Sequence, residues 1–166
     1  MNDESEFAEF RELAEAVGYT TILWSQIERQ LDNWVLIAYN RCGGKSISDE
    51  IPRAYAKKHV FLKKAFKLLP ALAPFSGECL ELLGRINALS ELRHILTHGT
   101  LESLVPENGV FTFRRMLYGA RAHQVQIATL DLRDWPPIFT DLRALMSQTS
   151  AVSSRLLQSF PKKTVR

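Results

Sequence analysis

Little in this chain of 166 residues points to a scaffold held by covalent cross-links or metal. The two cysteines, Cys42 and Cys79, stand in neither a paired nor a metal-ligand spacing, which argues against a disulfide framework or a zinc ribbon. No apolar run approaches the length of a membrane span, so no membrane partner is expected. No glycine-rich phosphate loop precedes a helix pattern, no Gly-x-Ser-x-Gly turn occurs, and neither cysteine has a histidine nearby in sequence. The acidic N-terminus lacks the cationic and apolar pattern of a leader, which points to a reducing, cytoplasmic setting. Acids are missing altogether between Ile51 and Gly77.

What is present is ordinary globular composition, 46% hydrophobic and 23% charged, enough for one domain with its own core. A net charge of +3 permits an acidic partner without demanding one. Periodicity predicts a first helix over 1–40, with Leu23, Trp24, Ile27, Leu31, Trp34, Val35 and Ala38 on an arc of about 120°. A bend is expected near Gly18, and Arg41-Cys42-Gly43-Gly44 stops the helix. The second helix is expected over 48–69, capped by Ser48 or Asp49 with Pro52 in its first turn. Ala54, Tyr55, Phe61, Leu62, Ala65, Phe66, Leu68 and Leu69 form its apolar side. Its other side carries Arg53, Lys57, His59, Lys63, Lys64 and Lys67. Such a one-signed face is either simply solvated or turned toward phosphate, and Lys57, Lys63, Lys64 and Lys67 are the candidate RNA contacts.

Pro70 and Pro74 make a corner, Ser76 caps a third helix over 76–98, and Gly99 ends it. The period then changes to alternation, and strands are expected at 101–105, 110–118 and 123–132 within a β insertion at 101–132. Pro106 to Gly109 and Gly119-Ala120 supply the turns. Asp134 caps a last helix over 134–160, and 161–166 form a loose basic tail. The expected fold is mainly α, a four- to five-helix bundle with a small β-hairpin or meander before the last helix.

Titratable groups concentrate at the end of the third helix. Leu82, Ile86, Leu89 and Leu96 define its core side, and Arg93 points within about 60° of each of them. An arginine there must be paired or must serve a ligand, and Glu28, at the edge of the first helix's apolar arc, is its candidate acid. His94 and His98 fall on the opposite side with Asn87 and Glu91. An imidazole can move a proton near neutrality, and a guanidinium can clamp phosphate oxygens, the two functions that metal-free RNA cleavage needs. Five residues on a helix turn through about 140°, so aiming Arg93 and His98 at one atom calls for a distorted helix end or a second subunit. The alternative is structural, with Arg93 paired to Glu28 in the core and His98 capping carbonyls.

Arg93-His94-Ile95-Leu96-Thr97-His98-Gly99 resembles the R-polar-x-x-x-H signature of the HEPN superfamily. The similarity extends to Trp24-Ser25-Gln26-Ile27-Glu28, to the Lys-rich second helix and to a short β segment after the motif. It implies a HEPN-like helical bundle acting as a homodimer, with motif helices facing each other across a composite ribonuclease site. On that analogy Arg93 binds the scissile phosphate, His98 activates the 2′-hydroxyl, and His94 orients the pair or contacts substrate. Asn is the frequent residue at the His94 position. No cofactor is implied. A toxin–antitoxin or defence role, with an antitoxin or another protein as partner, fits that family. So does a non-catalytic module that binds a partner or nucleic acid and keeps Arg93 for packing. Glu91-x-x-His94 matches half of a di-iron carboxylate site, and no other histidine has a glutamate three residues before it. Metal binding is therefore not expected. His59 and His123 read as isolated surface or hairpin residues, and Arg114, Arg115 and Arg121 as extra cationic surface or as guards of an edge strand.

Overall fold

In the computed structural model residues 3–103, 109–118 and 123–162 are described. The chain is mainly helical, with helices α1 (Asp3–Arg41), α2 (Tyr55–Leu68), α3 (Ser76–His98) and α4 (Trp135–Ser159). A small antiparallel meander of β1 (Thr100–Leu101), β2 (Val110–Tyr118) and β3 (His123–Asp131) lies between α3 and α4 in sequence. The chain divides into two compact units, one of 1–24 with 89–143 and the other of 25–88 with 144–166.

In the second unit, segments of all four helices form a bundle. Ile27, Leu31 and Trp34 of α1, Leu62 and Phe66 of α2, Leu83 and Ile86 of α3, and Leu145 of α4 are buried there. Burying each such side chain contributes about 1.5–3 kcal/mol. The Trp34 ring meets Phe66 edge-on at 5.8 Å, and its Nε1 donates to Ser153 Oγ at 2.8 Å, so the indole leaves no orphan donor. Arg155 pairs with Glu78 at 2.5 Å and Arg85 donates to Gln148 at 2.8 Å on the exposed side.

The first unit is built on the meander. β2 is the central strand, and Phe111 faces Leu130 across it while Phe113 faces Ala128. Alternation puts Phe111, Phe113 and Leu130 on one face, which packs with Leu13 of α1, Leu96 of α3 and Leu132. Val17, Leu92, Ile95 and Leu101 complete that core.

Several boundaries differ from the sequence expectation. α1 continues unbroken through Gly18. α2 starts at Tyr55, not at Ser48 or Asp49. The residues before it are held by Tyr39 Oη donating to the Asp49 carbonyl and Ser48 Oγ to that of Glu50, and Pro52 pushes Ile51 toward extended backbone. A 3-10 turn over Pro70–Phe75 runs straight into α3, so Ser76 is already helical and not an extended cap. Asp131, not Asp134, caps the next turn: its carboxylate accepts from Arg133 N at 2.9 Å, and α4 follows at Trp135. β1 is only two residues long, and the turn positions 104–108 and 119–122 lie outside the described residues, as does Arg121.

Side-chain expectations for α2 also change. Its buried stripe runs through Lys58, Phe61, Leu62, Ala65 and Phe66 to Leu69, and Leu68 falls off it to the surface. His59 is half-buried, not a surface residue: its ring stacks on Tyr55 at 6.2 Å and its Nε2 lies 3.2 Å from the Leu83 carbonyl. Arg114 and Arg115 belong to the central strand, so neither guards an edge.

Candidate functional site

The site is the C-terminal turn of α3. In its last turn Gly99 donates to the Ile95 carbonyl at 2.8 Å and Thr97 Oγ1 to that of Arg93 at 2.8 Å, after which β1 begins. A Cβ on Gly99 would stand 2.5 Å from the Ile95 oxygen and 3.3 Å from Phe113 Cβ. Only glycine lets helix and strand meet so closely.

On that turn Arg93 is half-buried and His98 exposed, and Arg93 Nη1 lies 3.5 Å from His98 Nε2. A single helix therefore brings the two groups together without a second subunit. Side chains lean toward the helix N-terminus, so His98 tilts back while the long guanidinium reaches forward. Arg93 carries its stem on the apolar side with its charged end directed outward, as long cationic chains do. The guanidinium can donate to Nε2 only when the imidazole is neutral with its proton on Nδ1.

His94 is enclosed more than its position on the polar side suggested. Its ring lies 5.8 Å from that of His98, it is half-buried, and its Nδ1 has no hydrogen-bond partner among the described residues. Burial holds its pKa below the ordinary imidazole value, with Arg115, Arg93 and His98 reinforcing the shift and Glu91 opposing it. The cause is the meander. Arg115 shares the inward face of β2 with Phe111 and Phe113, and its Nη1 lies 3.3 Å from Glu91 Oε1. Gln126 of β3, directly opposite Arg115, donates to the same oxygen at 2.9 Å. Gln126 is a site residue that the sequence pattern did not single out, and Arg115, expected as cationic surface or as an edge guard, joins it there. The alternation Phe111, Phe113, Arg115 was the available signal, since it sets the arginine on the face that must meet α3.

The remaining candidates belong to the second unit. Glu28 is half-buried on α1 and Asn87 exposed on α3, both in the second unit, whereas Arg93 belongs to the first. Lys57, Lys63, Lys64 and Lys67 are exposed on α2, also in the second unit. Beside them lies a groove of about 1070 Å³ with Ile51, Val60 and Phe61 on its apolar side, Arg53, Lys57 and Lys64 as its cations and Glu50 as an acid. Lys58 is turned inward, where it pairs with Asp32 at 2.5 Å.

Neither cysteine offers a nucleophile. Burial, aided by Glu78, pushes the Cys79 thiol up to about 12, and burial also raises that of Cys42. Among the described residues no group of three or more His, Cys, Asp or Glu side chains could hold a metal ion, and no helix is long and apolar enough to cross a membrane. Comparison with protein-family models, curated proteins and solved structures gives no match.

Proposed function

We propose that this chain is a HEPN-like, metal-independent endoribonuclease domain that acts on RNA phosphodiesters as a homodimer. The observation that carries the reading is the 3.5 Å approach of Arg93 to His98 at the exposed end of α3. In this mechanism His98 Nε2 turns from Arg93 to accept the 2′-hydroxyl proton as the 2′-oxygen attacks phosphorus. Arg93 stabilises the charge that grows on the phosphorane oxygens. The bond to the 5′-oxygen breaks, that oxygen takes a proton from solvent water while the His98 imidazolium returns its own to solvent, and the products carry a 2′,3′-cyclic phosphate and a 5′-hydroxyl. His94, kept neutral by its burial, positions the pair or contacts substrate. Lys57, Lys63, Lys64 and Lys67 supply contacts to the RNA backbone. A cytoplasmic toxin–antitoxin or defence role, with an antitoxin or another protein as partner, is the biological setting that goes with this reading.

A second reading, a nucleic-acid-binding module without chemistry, draws support from the cationic groove beside α2. One experiment separates the two. Structured and single-stranded RNA are incubated with the purified chain in excess EDTA, wild type beside His98→Ala. Cleavage that leaves cyclic phosphate ends and is lost in the variant supports the nuclease. RNA binding without cleavage, with both proteins equally folded, transfers the reading to the binding module.

A further inference from the structure

The sheet order β1-β2-β3 leaves two edges, and they differ in kind. β1 has two residues, too short to template another strand, whereas β3 has nine. The direction in which β3 presents its backbone follows from one hydrogen bond. Glu102 N donates to the Thr112 carbonyl at 2.9 Å, so Thr112, and with it Val110, Arg114 and Met116, turn their backbone groups toward β1. Phe111, Phe113 and Arg115 then bond to β3 through their register partners Leu130, Ala128 and Gln126. Val125, Ile127 and Thr129 are left with their N–H and C=O groups pointing away from the sheet. Among the described residues no backbone group bonds to them.

The same three residues carry their side chains on the face opposite the core. Val125 is 52% exposed and Ile127 60%, and Met116, directly across from Val125, is 43% exposed. Protected edges carry lysine, proline, a bulge or a cover, and the sequence from His123 to Asp131 contains neither lysine nor proline. Among the described residues β3 is an open edge beside an exposed β-branched surface.

We infer that β3 pairs edge to edge with β3 of a second copy of this chain, antiparallel, about a two-fold axis at Ile127. The nine-residue strand is self-complementary in that register. Ile127 faces its own counterpart, and Val125 faces the partner's Thr129, a ladder of β-branched side chains on the exposed face. Gln124, Gln126 and Ala128 on the other face are uncharged, so no like charges meet along the strand. Pairing from Val125 to Thr129 supplies about six backbone hydrogen bonds, closes both edges and yields a six-stranded sheet by an isologous contact that cannot propagate. This interface uses the edge of β3 and not the end of α3, so it stands apart from the chemistry of Arg93 and His98 and supplies the contact between copies for the homodimer proposed above.

The test is sedimentation velocity of the full chain across the micromolar range, with two substitutions at the axis. The wild type is expected to dimerise reversibly with concentration. Ile127→Lys sets two ammonium groups against each other and is expected to give monomer with unchanged circular dichroism and melting temperature. Ile127→Cys is expected to form a disulfide-linked dimer on mild oxidation. Thr112→Cys, on the same face of the central strand, is expected to form none. Cys42 and Cys79 are buried and do not compete. A wild type that stays monomeric throughout the range overturns the inference, whatever its activity on RNA. So does a dimer that survives Ile127→Lys, or Ile127→Cys that cross-links no better than Thr112→Cys.

Discussion

Arg93 Nη1 lies 3.5 Å from His98 Nε2 although the residues are five positions apart on one helix. Their Cα atoms are separated by about 7.5 Å of rise and about 140° of rotation, so the contact belongs to side chains and not to helix geometry. A long arginine, a histidine leaning back along the helix, and a terminus at Gly99 with no further turn to intervene make it possible. The pair is therefore tunable by substitution without rebuilding the backbone.

Arg93→Lys keeps the charge and removes the planar fork and part of the reach. In the nuclease reading this lowers cleavage by about a hundredfold in single-turnover assays while leaving the melting temperature close to wild type. Equal rates for the two proteins would remove Arg93 from the phosphate.

Stability should depend on pH through His94. Its folded-state pKa lies below the ordinary value of 6.5, so at acid pH the unfolded chain binds more protons than the folded one. The contribution is complete above pH 6.5 and is lost as pH falls through the lower folded value. His59 acts with the same sign because its burial outweighs the hydrogen bond to the Leu83 carbonyl. The melting temperature is expected to fall between about pH 7 and pH 5, less steeply in His94→Gln and least in a variant lacking both histidines. An unchanged slope in His94→Gln would show that the ring is not held neutral.

Lys58 is buried at the helix interface with Asp32 as its ion-pair partner. Asp32→Ala strands that ammonium and is expected to cost about 1–2 kcal/mol in denaturant unfolding, less than a fully buried pair because Asp32 is half exposed. Lys58→Met, which removes the charge and keeps the stem, should cost less. The reverse order would mean that the ion pair contributes little.

Gly99→Ala should destabilise by about 1–3 kcal/mol, because the added methyl meets the Ile95 carbonyl oxygen and presses on Phe113. If Gly99 also sets the position of His98, nuclease activity will fall by more than the smaller folded fraction explains. Wild-type stability would mean that the end of α3 relaxes easily.

Affinity for single-stranded RNA should fall steeply with salt. Replacing Lys57, Lys63, Lys64 and Lys67 by glutamine should reduce the slope of log affinity against log salt by about 0.7 for each phosphate that is no longer neutralised. A slope unmoved by the four substitutions would return those lysines to plain solvation.

Local pattern determined much of this protein. The 3.6-residue period placed Trp24, Ile27, Leu31 and Trp34 on the buried side of α1. Alternation marked the meander, and Arg93, His98 and Gly99 announced themselves as polar groups and a stop on an apolar helix. Lys58 was legible in principle, since it lies on the α2 stripe, but cationic residues all around it concealed the one that turns inward. The start of α2 was hidden because the Ser48 hydroxyl bonds to the Glu50 carbonyl and does not cap a helix, while Tyr39 holds the Asp49 backbone.

Only tertiary structure decided what surrounds the site. Period 2 fixes which residues of β2 share a face, but not what that face meets. The register sets Arg115 opposite Gln126, and both meet Glu91, which is 24 and 35 residues away from them in sequence. That packing encloses His94 on the side that helical periodicity assigned to solvent. Sequence period is a property of neighbouring residues, whereas burial and charge environment depend on segments that the chain brings together only when it folds.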